Sequence, residues 1–252
     1  KLHTNCEIGH DKSITELEND FDAIFLGIGS TKSNEVKIEG EKSSNVHFAI
    51  DFLTGIQKRN LGNKNAQYIN VEDKKVVVIG GGDTAMDCVR TSVREGATSV
   101  KCLYRRDEAN MPGSKKEVVN AKEEGVEFVF NVSPKSIKVE NDLAVGVELL
   151  ETSMSKSDTS GRQKVVLIEG SEYLEDADVI ILALGFSPEV PSFLKELNVE
   201  TNSWGGIVVD SNFKTSNKKV YAGGDCQRGA HLAVTAAVDG REAAKTIIKE
   251  LL

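Results

Sequence analysis

The chain has 252 residues, the length of one large or two modest domains. Its 31 basic and 39 acidic side chains give a net charge of −8, which argues against nucleic acid or an anionic membrane as the main partner, because both attract clustered positive charge. No apolar run approaches the roughly 18 residues of a membrane span, and no signal peptide is visible. We therefore expect small molecules or another protein as partners. Four single cysteines without C-x-x-C spacing favour reduced thiols in a cytoplasmic protein.

The first predicted elements are short and separated by polar stretches. The chain starts at Lys1 without a methionine, in a stretch (KLHTNCEIG) that is typical of a strand, so we expect it to be part of a longer polypeptide. A second strand, DFDAIFLGIGS at 20–30, ends in a Gly-x-Gly turn. The apolar spacing in NVHFAIDFLTGIQKRNLG then predicts a helix over 45–62, beginning near Val46.

From residue 74 to about 131, strands alternate with helices. The segments KKVVVIG, DTAMDCVRTSVREG, SVKCLYRR, KKEVVNAKEEG and VEFVFN predict a βαβαβ unit and a parallel sheet. Gly96 is the expected stop of the first of these helices. Its predicted buried stripe consists of Ala85, Met86, Val89 and Val93.

The alternation changes after residue 134. Short Val- and Leu-rich segments up to 170 predict an antiparallel meander with an exposed hairpin tip at TSMSKSDTSGR. The apolar run in DADVIILALGFSPEV predicts a buried strand, and a long helix is expected at the C-terminus. The residues expected to pack that helix on a sheet are Leu232, Ala236, Ala243, Ile247 and Leu251.

A glycine-rich turn carries the strongest chemical signal. In VVVIGGGDTAMD, Gly80, Gly82 and Ala85 form G-x-G-x-x-A directly after a strand and at the start of a helix. Gly80 allows a tight turn, Gly82 lets the backbone approach a pyrophosphate, and Ala85 allows close helix packing. The motif therefore predicts a dinucleotide site, against the alternative of a purely structural turn.

The end of the next strand discriminates between nicotinamide cofactors. An acidic residue there would accept the ribose hydroxyls of NAD, whereas LYRRD offers Arg105 and Arg106, which suit the 2′-phosphate of NADPH. The alternative is a solvated arginine pair that balances Asp107 and Glu108. We favour NADPH.

A second turn lies in VYAGGDCQRGAHLAVTAAVDGREAA. A carboxylate such as Asp225, fixed at a strand end beside glycines, can accept hydrogen bonds from a polyol, and the following helix can direct its N–H groups at a carbonyl. Both features suit a flavin, although a G-G-D turn alone is more often a simple loop. No Ser-His-Asp grouping and no metal-ligand spacing are present, so no metal site and no catalytic side chain is predicted.

These strings, together with CLYRRDEANMPGSKKEVVNAKEEGVEF and ADVIILALGFSP, resemble the pyridine-nucleotide-dependent flavoproteins that form the small (beta) subunit of bacterial NADPH-dependent glutamate synthase. The resemblance spans nearly the whole chain. It implies an NADPH site and FAD contacts, with iron–sulfur clusters only in an N-terminal region that this sequence lacks. The cofactor-binding residues implied are Gly80, Gly82, Asp83, Thr84, Ala85, Arg105, Arg106, Gly185, Gly224, Asp225 and Thr235.

The resemblance also implies an α/β architecture of the disulfide-reductase-like type with two dinucleotide-binding domains. A Rossmann-like NADPH domain at 48–185, a parallel sheet plus an antiparallel meander, would be inserted into a partial FAD-binding domain at 1–47 and 186–252. The first FAD fingerprint, which would hold the FAD pyrophosphate, is absent from the sequence. We therefore expect this chain to lack part of the FAD-binding site.

The function implied is an oxidoreductase module that delivers electrons from NADPH via FAD for glutamate synthesis, with the glutamate synthase large subunit as partner. Two alternatives remain: a related NADPH reductase coupled to ferredoxin or pyrimidine reduction, and a non-catalytic NADPH-binding module. A disulfide reductase is disfavoured because no cysteine pair is present.

Overall fold

The computed structural model describes residues 1–155 and 163–252. They form two compact units. We call Ser33–Gly185 the inserted unit, and Lys1–Lys32 with Phe186–Leu252 the outer unit. The division after Lys32 lies before the expected domain boundary at residue 47, because Val36 and Ile38 already pack into a core of the inserted unit.

The helices and strands follow one another along the chain, with one 3₁₀ turn at Glu108–Asn110. The elements are α1 (Ile14–Asp20), β1 (Ile24–Leu26), β2 (Lys32–Ser33), β3 (Val46–Phe48), α2 (Ala49–Asn60), β4 (Lys75–Ile79), α3 (Asp83–Arg94), β5 (Ser99–Tyr104), α4 (Lys115–Glu123), β6 (Glu127–Phe130), β7 (Val132–Glu140), β8 (Leu143–Met154), β9 (Val165–Leu167), β10 (Tyr173–Asp176), β11 (Val179–Leu182), β12 (Phe186–Ser187), α5 (Phe193–Glu196), β13 (Val220–Ala222), α6 (Asp225–Arg228) and α7 (Ala233–Leu251).

A parallel sheet forms the centre of the inserted unit. Its strand order is β3-β11-β4-β5-β6, and every pairing is parallel, which confirms the predicted βαβαβ unit. Helices α2, α3 and α4 cover one face, with Phe52, Met86 and Val118 in the shared core. Of the predicted stripe on α3, three residues are buried and Val93 is partly buried. Gly96 follows the end of this helix with φ +85°, as predicted.

An antiparallel sheet covers the other face. Strands β10, β8 and β7 pair in that order and β9 pairs with β8, which confirms the predicted meander. Val147 and Leu149 pack against Val77 and Ile180 of the parallel sheet. The predicted hairpin tip extends into residues 156–162, which lie outside the described residues.

The outer unit is built on one parallel strand pair, β1 with β13. Leu26 and Ala222 pack there with α5 residues such as Leu194. Helix α1 begins with a capping box, in which Ser13 and Glu16 satisfy each other's backbone N–H groups. The carboxyl ends of both strands therefore lie side by side, each followed by a glycine turn.

Three of the predicted elements were wrong in part. KLHTNCEIG forms no strand, since Asn5 adopts φ +53° and a turn closes on the Glu7 carbonyl. Val46 lies in β3 beside Ile180, so the helix begins only at Ala49. Of the residues expected to pack α7, only Ala243 is buried, while Leu232 is 60% and Leu251 52% exposed.

Candidate dinucleotide sites

The turn between β4 and α3 contains glycines that serve different purposes. Gly80 has φ +148°, and a Cβ there would lie 2.2 Å from the carbonyl oxygen of Ala183. It is therefore required by the packing of the neighbouring strand ends. Gly82 has an ordinary φ of −89°, and a Cβ there would meet nothing within 4 Å. The protein does not need a glycine at 82, but a ligand that approaches the backbone does.

The first turn of α3 presents free donors to that open space. Gly82 provides no side-chain cap, and the N–H groups of Asp83 and Thr84 make no hydrogen bond to any described residue. Uncapped helix N–H groups favour a bound anion such as a pyrophosphate. Ala85 is fully buried beneath them, which lets the helix lie close to the sheet.

The loop after β5 (residues 105–114), which we call the arginine loop, folds back onto this turn. Gly113 donates its N–H to the Gly81 carbonyl at 3.0 Å, and Ser114 donates its N–H to Asp83 Oδ1 at 2.7 Å. Tyr104 packs beneath Gly81, where a Cβ would lie 2.4 Å from its ring. The Asp83 carboxylate thus faces the arginine loop.

Both arginines in this loop have fixed backbones. The Arg105 carbonyl accepts from Thr152 Oγ1 at 3.0 Å, and the Arg106 carbonyl accepts from the N–H of Asn131 at 3.1 Å. Thr152 is one of the few polar side chains in the core of the described chain. The guanidinium groups are therefore carried by an ordered backbone at the carboxyl end of β5.

Neither guanidinium is engaged by a carboxylate within residues 1–155 and 163–252. Asp107 caps the N–H and side chain of Asn110, and Glu108 pairs with Lys122 at 2.7 Å. The alternative, that these acids balance the arginines, does not fit this arrangement. Arg106 Nε is buried without a partner in the described part of the chain, an unsatisfied donor that a phosphate oxygen would satisfy.

Gly185 lies two residues after Ala183, whose carbonyl packs against Gly80. It follows β11, the neighbour of β4, and its φ of +81° requires a glycine. Its carbonyl accepts the N–H of Asn34 at 3.1 Å. The inserted unit thus brings its candidate residues to the carboxyl ends of three adjacent strands, β11, β4 and β5, where ligands bind in sheets of this type.

The second turn lies in the outer unit, after β13. Gly224 has φ +76°, and its N–H donates to Oδ2 of Asp239 at 2.9 Å. Asp239 is 2% exposed and also accepts from Arg228, with Nε at 3.0 Å. This carboxylate, which the sequence reasoning missed, therefore holds the turn in shape.

Asp225 follows Gly224 at the start of α6. Its carbonyl accepts from Ser30 Oγ at 2.9 Å, and its carboxylate accepts the N–H of His231 at 3.3 Å. Thr235 donates to the Leu232 carbonyl at 2.6 Å and lies 2.9 Å from His231 Nδ1. The N-terminus of α7 has no side-chain cap, and the N–H groups of Ala233 and Val234 make no hydrogen bond to a described residue, so they can donate to an electron-rich ligand atom. These features fit the hydroxyl and carbonyl groups of a flavin.

Three of the cysteines, Cys88, Cys102 and Cys226, are buried, whereas Cys6 is exposed. Burial raises the pKa of Cys102 to about 12, and it also raises the pKa values of Cys88 and Cys226. Thiolates, the reactive form, are thus disfavoured at all three. Among the described residues, no cluster of His, Cys, Asp and Glu could hold a metal ion, and none of the helices is long and apolar enough to cross a membrane.

Comparison with known proteins identifies the class. Residues 3–240 match the family model described as pyridine nucleotide-disulphide oxidoreductase. The solved structure of Mycobacterium tuberculosis FprA in complex with NADPH has the same fold, with a TM-score of 0.80 at 18% identity over 98% of this chain and 67% of that one. The chain belongs to the pyridine nucleotide-disulphide oxidoreductase family.

Within the family, two curated relatives are informative. The glutamate synthase [NADPH] small chain of Escherichia coli K12 is 46% identical over 98% of this chain and 54% of its own length. The NADPH-Fe(3+) oxidoreductase subunit beta of Geobacter sulfurreducens is 34% identical over 98% of this chain and 39% of its own. The predicted resemblance to glutamate synthase small subunits is confirmed, and the chain spans about half the length of the E. coli relative.

Proposed function

We propose that this chain is the NADPH-oxidising part of a flavoprotein that passes electrons from NADPH through FAD for glutamate synthesis in the cytoplasm, with the glutamate synthase large subunit as partner. The single observation that carries the proposal is the arginine pair, Arg105 and Arg106: their backbones are fixed beside the glycine turn, and their guanidiniums pair with no carboxylate among the described residues. The similarity to the E. coli small chain supports the physiological role.

Two groups of residues in the inserted unit would bind different parts of NADPH. Gly80, Gly82, Thr84 and the α3 N-terminus would hold the pyrophosphate, and the arginine pair would hold the 2′-phosphate. In the outer unit, Gly224, Asp225 and Thr235 would contact FAD. The two cofactors supply the hydride-transfer chemistry when bound, and the protein supplies position and charge.

The cofactor preference is tested with an Arg105→Ala, Arg106→Ala double variant. Hydrogen bonds to charged groups contribute about 1.5 to 3 kcal/mol each, so loss of the donors of both arginines should weaken NADPH binding by roughly a hundredfold or more. NADH affinity should change less than about threefold, since NADH lacks the 2′-phosphate. Calorimetric titration measures both constants, and equal losses for the two cofactors would contradict the assignment.

The reductase function is tested separately by visible absorption. We expect the chain reconstituted with FAD to show a flavin spectrum that bleaches on anaerobic addition of NADPH. Bound flavin that stays oxidised would contradict the proposed electron transfer. Failure to retain FAD, with intact NADPH binding, would favour the non-catalytic alternative for this chain.

A second candidate is a related reductase module with another electron acceptor. The Geobacter relative, named as an NADPH-Fe(3+) oxidoreductase subunit, favours it. Purification of the intact complex separates the two candidates, because co-purification with a glutamate-forming subunit is expected only for the first.

A further inference from the structure

We infer that Asp83 is a positioning residue that sets the preference for NADPH over NADH, by tying the arginine loop to the glycine turn. The inference rests on the proposed NADPH site but assigns Asp83 a role different from cofactor contact. Its carboxylate accepts the N–H of Ser114, at the end of the loop that carries the arginines.

The connection between turn and loop has two parallel parts. One is the hydrogen bond from Ser114 N–H to Asp83 Oδ1, and the other is the bond from Gly113 N–H to the Gly81 carbonyl. The backbone of Gly113 lies close to the glycine turn, and a Cβ at this position would lie only 3.1 Å from the Gly81 carbonyl oxygen. A glycine therefore suits this position. Together these bonds fix the C-terminal end of the arginine loop on the turn that would hold the pyrophosphate.

The other end of the loop is fixed independently. Thr152 and Asn131 hold the Arg105 and Arg106 carbonyls, and the Tyr104 hydroxyl donates to the Asn110 carbonyl at 2.8 Å. The backbones of the arginines therefore lie at the strand-end anchor, and the Asp83 bond acts on the opposite end of their loop. Without the Asp83 bond, only the Gly113–Gly81 bond of the two would remain, so that end of the loop would be held more loosely while the strand end stays in place.

The location of Asp83 makes a direct role in phosphate binding unfavourable. An ionised carboxylate in the first turn of α3 is stabilised by the helix dipole but would repel a phosphate beside it. Its hydrogen bond with the Ser114 N–H serves the arginine loop instead, and that bond needs an acceptor oxygen but no charge. The acceptor, rather than the charge, is thus the feature that the loop requires.

The test compares substitutions that separate acceptor from charge. Asp83→Ala removes both, whereas Asp83→Asn keeps an acceptor oxygen. Ser114→Pro removes the donor N–H, and its φ of −55° suits proline. Asp87→Ala is the matched control, because Asp87 lies one helical turn along α3, is exposed, and accepts no hydrogen bond from a described residue.

We expect Asp83→Ala and Ser114→Pro each to lower the ratio of NADPH to NADH affinity by roughly tenfold, the effect of losing one oriented charged contact. Asp83→Asn and Asp87→Ala should stay within about threefold of wild type. The double variant Asp83→Ala, Ser114→Pro should lose no more than either alone, because both break the same bond.

The inference is overturned if Asp83→Ala leaves the affinity ratio unchanged, whether both affinities fall together or neither does. A loss in Asp87→Ala as large as in Asp83→Ala would overturn it equally. Amide hydrogen exchange at Ser114 is a readout without nucleotide, and should be slow in wild type and fast in Asp83→Ala. If wild type shows no preference for NADPH while Ser114 exchange behaves as expected, the proposed function fails and the loop connection stands.

Discussion

At the scale of single residues, Gly80 and Gly82 are glycines for different reasons, the first because of packing and the second because of the proposed ligand. A side chain at Gly80 would collide with the Ala183 carbonyl, whereas one at Gly82 would enter open space. Gly80→Ala should therefore lower the free energy of unfolding by more than about 2 kcal/mol, through strain and displacement of a strand end.

Gly82→Ala should instead change stability by less than about 1 kcal/mol, the scale of an N-cap exchange, and weaken NADPH binding at least roughly tenfold by blocking the backbone. Urea denaturation and nucleotide titration of both variants separate the two effects. Normal binding by Gly82→Ala would contradict the assignment of the open space to the pyrophosphate.

Asp239 is the residue on which the second turn depends. Its buried carboxylate serves the Gly224 N–H and Arg228, so Asp239→Ala leaves a buried donor unsatisfied. Because the Arg228 side chain is 36% exposed and can reach water, we expect a loss of about 2 to 4 kcal/mol, below the cost of breaking a fully buried pair. Denaturation measures it, with Glu242→Ala, on an exposed face of the same helix, as a control expected to change little.

At the scale of elements, an ion network joins α3 to α4. Arg90, and then Arg94, lower the pKa of Glu124 to about 2 from an ordinary 4.5. A carboxyl whose pKa is lowered in the folded state stabilises the fold above its ordinary pKa, and this contribution is lost as pH falls from about 4.5 towards 2.

Glu124→Gln should thus cost about 1 to 2 kcal/mol at pH 7 and progressively less below pH 4. Unfolding curves at both pH values check this, with the exposed Glu123→Gln as control. A destabilisation that is independent of pH would contradict the ionic origin.

Local sequence patterns predicted the elements whose neighbours are close along the chain. The βαβαβ unit and the turn at Gly80 follow from alternation and glycine spacing over a few dozen residues. The contacts of Asp83 with Ser114 and of Arg105 with Thr152 join residues 31 and 47 positions apart, so local sequence patterns could not predict them. The prediction for helix α7 was wrong because apolar spacing predicts a helix but does not show which of its apolar residues are buried. Leu232 and Leu251 remain exposed.

At the scale of the whole molecule, two units repeat one plan. Each carries a parallel strand, a glycine turn and a helix, and in each an aspartate accepts a backbone N–H to fix the turn or its neighbouring loop. Such strand-end turns suit dinucleotides. The inserted unit holds all the residues proposed for NADPH, so its nucleotide recognition is expected to persist whether or not FAD is bound.

The most direct measurement is a calorimetric titration of the unmodified chain with NADPH and, in parallel, with NADH. The account predicts saturable binding of one NADPH, at least roughly tenfold tighter than NADH, with the difference shrinking at high salt because it comes from the arginine–phosphate contacts. Equal affinities, or tighter binding of NADH, would contradict it.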